Sequence, residues 1–253
     1  MTKFTKIALS IALAAGLTAT SQAQISYTGG TYTQDFDSMG AAGTTTPTGW
    51  FVGTGTGAAV AGTTVVAGTG SGTAGGNYNF GVAGTNVVGE RALGSLASAS
   101  TQRDTEVRFT NNLGINITQF TIGYDGEQWR NGGSTVANTL TLQLSTDGLT
   151  WTSLGSAFNF ISPINTATAG ALDGNASANR VAGIGGTFTP TIPILNGSVF
   201  YLRWADVDDT GADAGIALDN FSFSAIPEPS VYMLLGVGLL FCGQRFLRRR
   251  KSA

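Results

Sequence analysis

Leu140-Thr141-Leu142-Gln143-Leu144-Ser145-Thr146-Asp147-Gly148-Leu149-Thr150-Trp151 decides the fold class of this 253-residue chain. Leucine at every second position puts three apolar side chains on one face of an extended segment, with Thr141 and Gln143 on the other. That is the period of a half-buried strand. Asp147-Gly148 breaks the run, and apolar residues resume at Leu149. Asp-Gly between two patterned runs predicts a tight hairpin with positive φ at both central residues.

The same period recurs on both sides of the hairpin. Upstream, Val107 and Phe109, then Ile115 and Ile117, then Phe120, Ile122 and Tyr124 alternate with polar residues. Downstream, residues 199–204 and 216–223 read as the last strands, and nothing in between sustains a helical period over three turns. Residues 41–76 are nearly all Gly, Thr, Ala and Val, which suggests short strands with flexible turns or a surface loop. Turn signals roughly every ten residues predict an all-β chain, an antiparallel β-sandwich of the jelly-roll kind.

Composition removes whole classes of chemistry. The chain has no His, so His-based nucleophile activation, His-ligated zinc and imidazole acid–base work are excluded. Its one cysteine, Cys242, lies in a C-terminal apolar run, which leaves no disulfide framework. Lysine occurs only at Lys3, Lys6 and Lys251, outside the body. Between residues 24 and 226, six arginines face fourteen carboxylates, a net charge of −8. Such a surface repels nucleic acid and attracts divalent cations.

Both termini read as addresses. Lys3 and Lys6 precede an apolar stretch at 7–17 and the small-x-small site Ser21-Gln22-Ala23, a signal peptide over 1–23 with the mature chain starting at Gln24. At the other end, Pro227-Glu228-Pro229 is followed by an apolar run at 231–243 and by Arg248-Arg249-Arg250-Lys251. Thirteen helical residues reach only about 20 Å, so a span must extend toward Leu247 and carry Arg245 near the lipid boundary. The basic cluster holds the tail end in the cytoplasm and the body outside. This tail, 227–253, resembles those of the PEP-CTERM proteins. The resemblance implies sorting by an exosortase after signal peptidase has acted. It also implies transient anchoring in the inner membrane through a C-terminal transmembrane helix, and release to the cell envelope, outer surface or extracellular matrix.

Three groups of body residues are candidates for chemistry. Asp206, Asp208, Asp209 and Asp213 fall within eight residues and suit Ca²⁺, although Ala217 stands where an EF-hand needs a bidentate Glu. Asp35 and Asp37 near the start of the body and Asp219 near its end resemble the terminal-strand carboxylates of carbohydrate-binding jelly rolls. That resemblance implies a structural Ca²⁺ pinning first and last strands. In Tyr124-Asp125-Gly126-Glu127-Gln128-Trp129-Arg130, Asp125 and Glu127 point the same way along one strand and do not flank a sugar as a glycosidase pair would. Trp129 is read either as a sugar-stacking ring with Gln128 and Arg130 as hydrogen-bonding partners, or as a core or sheet-corner residue with Arg130 paired to a neighbouring carboxylate, whereas Trp151 and Trp204 are read as core. Two functions follow: a non-enzymatic surface or matrix protein associated with exopolysaccharide and biofilm, or a Ca²⁺-stabilised module that binds a polysaccharide.

Overall fold

A computed structural model describes residues 23–55, 57–82, 90–98 and 100–226. The expected signal peptide, but for Ala23, and the expected membrane-spanning sorting tail lie outside these residues. The described residues form fifteen strands and no α-helix. In chain order these are β1 (Ile25–Tyr27), β2 (Tyr32–Gln34), β3 (Trp50–Thr54), β4 (Val66–Gly68), β5 (Gly76–Phe80), β6 (Ala92–Leu96), β7 (Arg103–Asn111) and β8 (Phe120–Asn131). They continue as β9 (Thr139–Ser145), β10 (Thr152–Ser153), β11 (Phe160–Ile161), β12 (Gly170–Ala171), β13 (Arg180–Phe188), β14 (Val199–Asp206) and β15 (Gly215–Ala225).

Two sheets face each other, as the alternation predicts. Sheet A runs β1-β7-β14-β9-β10, with β3 sharing the β7 edge with β1, and β11 sharing the β9 edge with β10. Sheet B runs β12-β8-β15-β6-β5-β4, with β13 also on β8 and β2 also on β15. Pairing is antiparallel except for β1 with β7 and β4 with β5. Val107, Phe109, Leu142, Leu202 and Trp204 of sheet A meet Ile122, Tyr124, Leu218, Phe221 and Phe223 of sheet B in one core. Aromatic rings fill its centre: Trp204 stacks on Trp50 at 5.7 Å and takes the edges of Tyr124 and Phe221 at 5.6 and 5.4 Å.

Two local expectations change, and one of two open readings is selected. The 140–151 hairpin exists, but Thr152 pairs with Leu144, so the connection is long and Asp147 does not adopt positive φ. Instead the Asp147 carboxylate accepts hydrogen bonds from Leu149 N and Thr150 N at 2.8 and 2.7 Å and organises the wider loop. Ile115 and Ile117 form no strand; Ile117 makes a single bridge to Ile194, and Ile115 is exposed. The described residues of 41–76 take the short-strand reading: β3 joins sheet A, β4 joins sheet B, and bridges tie Thr45 to Thr64 and Val52 to Gly62.

The sandwich has two unlike ends. Asp206 closes β14 beside Arg103, and the 207–214 loop continues that end. At the other end lie the turns around residues 28–31, 111–119, 146–151 and 189–198, together with Ile226, whose N–H reaches Gln119 O at 2.8 Å.

Candidate functional site

Strand β8 carries the most chemistry. Its alternation turns Gly126 against the Phe160 ring, where a Cβ would overlap the ring carbons. Asp125, Glu127 and Trp129 fall on the opposite, outer face of sheet B. Trp129 is 1 % exposed. One face of its indole stacks on Phe80 at 5.9 Å and Gly174 lies against the ring, while Nε1 donates to Glu127 Oε2 at 3.0 Å. The ring is therefore part of a small second core with Tyr78, Phe80 and Leu96, and the expected sugar-stacking surface at Trp129 is covered. Gln128 is fully buried and spends its amide on Ile164, donating to its O and accepting from its N at 2.7 Å each.

Arg130 is placed differently from its neighbours. A register shift sets Gly215 opposite Arg130 and Ile216 opposite Gln128. The guanidinium then reaches the Gly/Thr-rich segment, donating from Nη1 to Gly70 O at 3.1 Å and Ser71 O at 3.3 Å. Beside it opens a pocket of about 270 Å³ with Tyr78, Phe80 and Leu96 as its apolar wall and the 66–72 backbone as its rim. Its volume falls just below the usual range for small-ligand sites.

Next to Trp129 the outer face gathers carboxylates. Asp219 on β15 lies opposite Asp125 on β8. Asp125 is fully bonded, to the Arg180 guanidinium, to Gly183 N at 2.7 Å and to Asn220 Nδ2 at 3.0 Å. Glu127 Oε1 and Asp219 Oδ1 are buried with no hydrogen-bond partner. Burial raises Asp219 to about 8, helped by the charges of Glu127, Glu90 and Asp37. Burial likewise raises Glu127 to about 7. Asp37 contributes to this field and accepts from Arg91 N at 3.0 Å, while Asp35 stays exposed and accepts from Asp37 N. The structure thus brings Asp37 and Asp219 into one field, with Asp35 at its edge.

The second acidic grouping is spent on the protein itself. Asp206 is fully buried and accepts from Ser95 Oγ at 2.7 Å and Ala97 N at 3.2 Å. Asn138 Nδ2 donates to Asp209 and Asp213 at 2.8 and 3.1 Å, and Asp213 also accepts from Asp209 N. Asp208 is exposed. Among the described residues no three carboxylates are gathered in a metal-holding arrangement.

The outer face of sheet A holds a polar layer that the strand reading passed over. Arg203 lies 3.7 Å over the Trp151 ring and donates to Gln143 Oε1 and to Asp104. Arg108 lies 3.9 Å over Phe51 beside Glu106, which burial raises to about 7. Trp151 is half-buried and outside the core, unlike Trp204. The signal was present: Asp104, Glu106 and Arg108 on β7, and Tyr201 and Arg203 on β14, occupy the alternate positions between core residues.

Residues 225–251 match the PEP-CTERM protein-sorting motif, so the chain ends in a sorting signal of exported bacterial envelope proteins, the kind exosortases process. No curated protein matches the chain. Among solved structures it is similar to the CBM22-1 xylan-binding domain from Paenibacillus barcinonensis Xyn10C, at 12% identity over 81% of this chain and 97% of that one, with a TM-score of 0.39. It is also similar to the K3 cleaved adhesin domain of Lys-gingipain from Porphyromonas gingivalis w83, at 12% identity over 76% and 97% with a TM-score of 0.40. A module specific for non-crystalline cellulose, CBM28, gives 16% identity over 72% and 89% with a TM-score of 0.38.

Proposed function

We propose that this is a non-catalytic protein of the bacterial envelope or extracellular polysaccharide matrix, freed at Gln24 by signal peptidase and then cut from the inner membrane by an exosortase. One observation carries the reading. The sorting motif starts at Ala225, the last residue of β15, so the tail follows the folded body with no second domain between them. In an exosortase-bearing host, intact-mass measurement of envelope material is expected to give a chain beginning at Gln24 and ending near Pro227-Glu228-Pro229. Replacing those three residues with Ala is expected to leave the tail attached. Wild-type material that retains Arg248-Arg249-Arg250-Lys251 sinks the exosortase part.

A second reading, glycan binding by the body, is favoured by two features. The Trp151 ring is half-exposed beneath Arg203 with the Gln143 amide alongside, the pairing of apolar face and directional donors that sugars use. The Arg130 pocket is the other. Mature protein is expected to be retained on a polysaccharide column, with Trp151→Ala abolishing retention if sheet A binds and Arg130→Ala doing so if the pocket binds. Passage of the wild type through polysaccharides of the host matrix removes this reading. Ca²⁺ fits the Asp219 end of the body best, because Asp219 and Glu127 each leave a buried carboxylate oxygen without a donor. Asp219 would be its first ligand, with main-chain oxygens or water completing the shell, since three carboxylates are not gathered around one point among the described residues.

A further inference from the structure

The end of the sandwich from which the tail departs is built unlike the rest of the body. Of the ten large exposed apolar side chains among the described residues, Ile115, Leu149, Ile192, Leu195 and Ile226 lie at this end, with exposures from 38 to 72 %. The turns are held together. Ile117 pairs with Ile194, Asn111 Nδ2 donates to Ile115 O and Ile194 O, and Gly114 N donates to Asn196. Ile226 N donates to Gln119 O, and a shared pocket joins Thr146, Asp147 and Thr150 to Pro190 and Ile192.

Charge is almost absent there. Residues 109–124, 181–202 and 220–226 contain no Asp, Glu, Lys or Arg, although the body as a whole stands at −8. Asp147, on the rim, is the one ionised side chain among these turns, and its carboxylate is tied to three donors from its own loop. The opposite end carries Asp206, Asp208, Asp209 and Asp213. Scattered exposed apolar residues are ordinary on a soluble protein, but a contiguous set with its charges removed marks a contact surface.

The chain length beyond the described residues identifies what it contacts. From Ile226 to the start of the apolar run at Val231 are five residue steps, which span at most about 18 Å when fully extended. The polar zone on each side of a bilayer's hydrocarbon core is about 5–8 Å thick. The twelve residues of β8 alone run about 40 Å. After crossing that zone the tether keeps Ile226 within about 10–13 Å of the lipid surface, a third or less of the length of β8, so this end of the body faces the membrane at close range.

We infer that Ile115, Leu149, Ile192, Leu195 and Ile226 form a bilayer-docking surface that seats this end of the sandwich in the lipid interface while the tail is uncleaved. Docking fixes the height of Pro227-Glu228-Pro229 at the membrane surface. The inference rests on the reading of 231–247 as a membrane span. An uncharged apolar face suits it, since an acidic one would be repelled by anionic lipid and would lose hydration at the interface.

The test uses the mature chain, residues 24–253, with Cys242→Ser, reconstituted into neutral phosphatidylcholine vesicles. A polarity-sensitive fluorophore is attached at Ile192→Cys or Leu195→Cys, and at Thr210→Cys on the opposite end as reference. The two probes at the docking surface are expected to shift to the blue, to brighten severalfold over the Thr210 probe, and to be quenched by lipids spin-labelled near the headgroup. Protein that floats with the vesicles and resists carbonate extraction, yet shows wet probes at 192 and 195, overturns docking while leaving the membrane span intact. Protein that fails to float overturns the span and docking together.

Discussion

Trp204→Ala is expected to lower the melting temperature of the mature protein by about 6–20 °C. Trp204 is fully buried where both sheets meet and touches Trp50, Tyr124 and Phe221 at once. Truncating a buried Trp to Ala removes its transfer free energy and leaves a cavity that rigid neighbours cannot fill, a loss of about 3–5 kcal/mol. For a body of this size each kcal/mol moves the midpoint by about 2–4 °C. Trp151→Ala, by contrast, removes a half-buried ring from the outer face of sheet A and is expected to shift the midpoint only slightly. Equal shifts for the two variants would mean that the inter-sheet aromatic stack does not carry the fold.

With a chelator present, stability is expected to fall as pH rises from about 5 to about 8. Burial lifts Asp219 from 3.8 to about 8, and Glu127 and Glu106 from 4.5 to about 7. The folded protein therefore holds protons that the unfolded chain has released. That contribution is complete below the unfolded values and is lost as pH climbs toward each folded value. Asp219→Asn and Glu106→Gln are each expected to flatten the profile and raise the midpoint at pH 8. A cation that binds only the folded state adds about 2.7 kcal/mol at a hundred times its Kd, or about 5–10 °C here. Millimolar Ca²⁺ at pH 8 is expected to give such a rise in the wild type and none in Asp219→Asn. Loss of the rise in an Asp208→Asn, Asp209→Asn double variant instead would move the site to the loop after β14. A midpoint indifferent to pH, Ca²⁺ and chelator would show that these carboxylates are ionised and solvated.

The strands were legible wherever one face is apolar and the other polar, as along Leu140, Leu142 and Leu144 or Phe120, Ile122 and Tyr124. β5 and β6 escaped that reading because both of their faces are buried: Asn77, Asn79 and Ser95 are covered along with Tyr78 and Leu93, so their sequences lack a two-residue alternation. β13 escaped for the opposite reason. Most of its residues are exposed or half-buried, and Gly183, Gly185 and Gly186 adopt positive φ along a strand whose register shifts. At the candidate site, the concentration of chemistry in β8 was plain from its residue types. The covering of Trp129 was not, because it depends on Phe80 and Gly174, which lie 49 residues before it and 45 after it in the chain. The bulge that sets Arg130 apart places one extra β8 residue, Trp129, against the single step from Gly215 to Ile216 in β15, and the residue types of β8 do not announce it.

The position of β15 has a consequence for the order of events during export. The last strand of the body is also central in sheet B, between β8 on one side and β6 and β2 on the other. Until residues 215–225 arrive, β8 and β6 have no strand between them, and two long backbone edges stay unpaired. Contacts this distant in sequence form slowly and only once both partners are present. A chain that emerges N-terminus first therefore cannot complete its sandwich until its last strand is available. Closure waits for Ala225 to emerge, the residue at which the sorting motif begins. The last strand of the body and the start of the sorting motif thus share a residue, and the sandwich closes only when the motif itself is at hand.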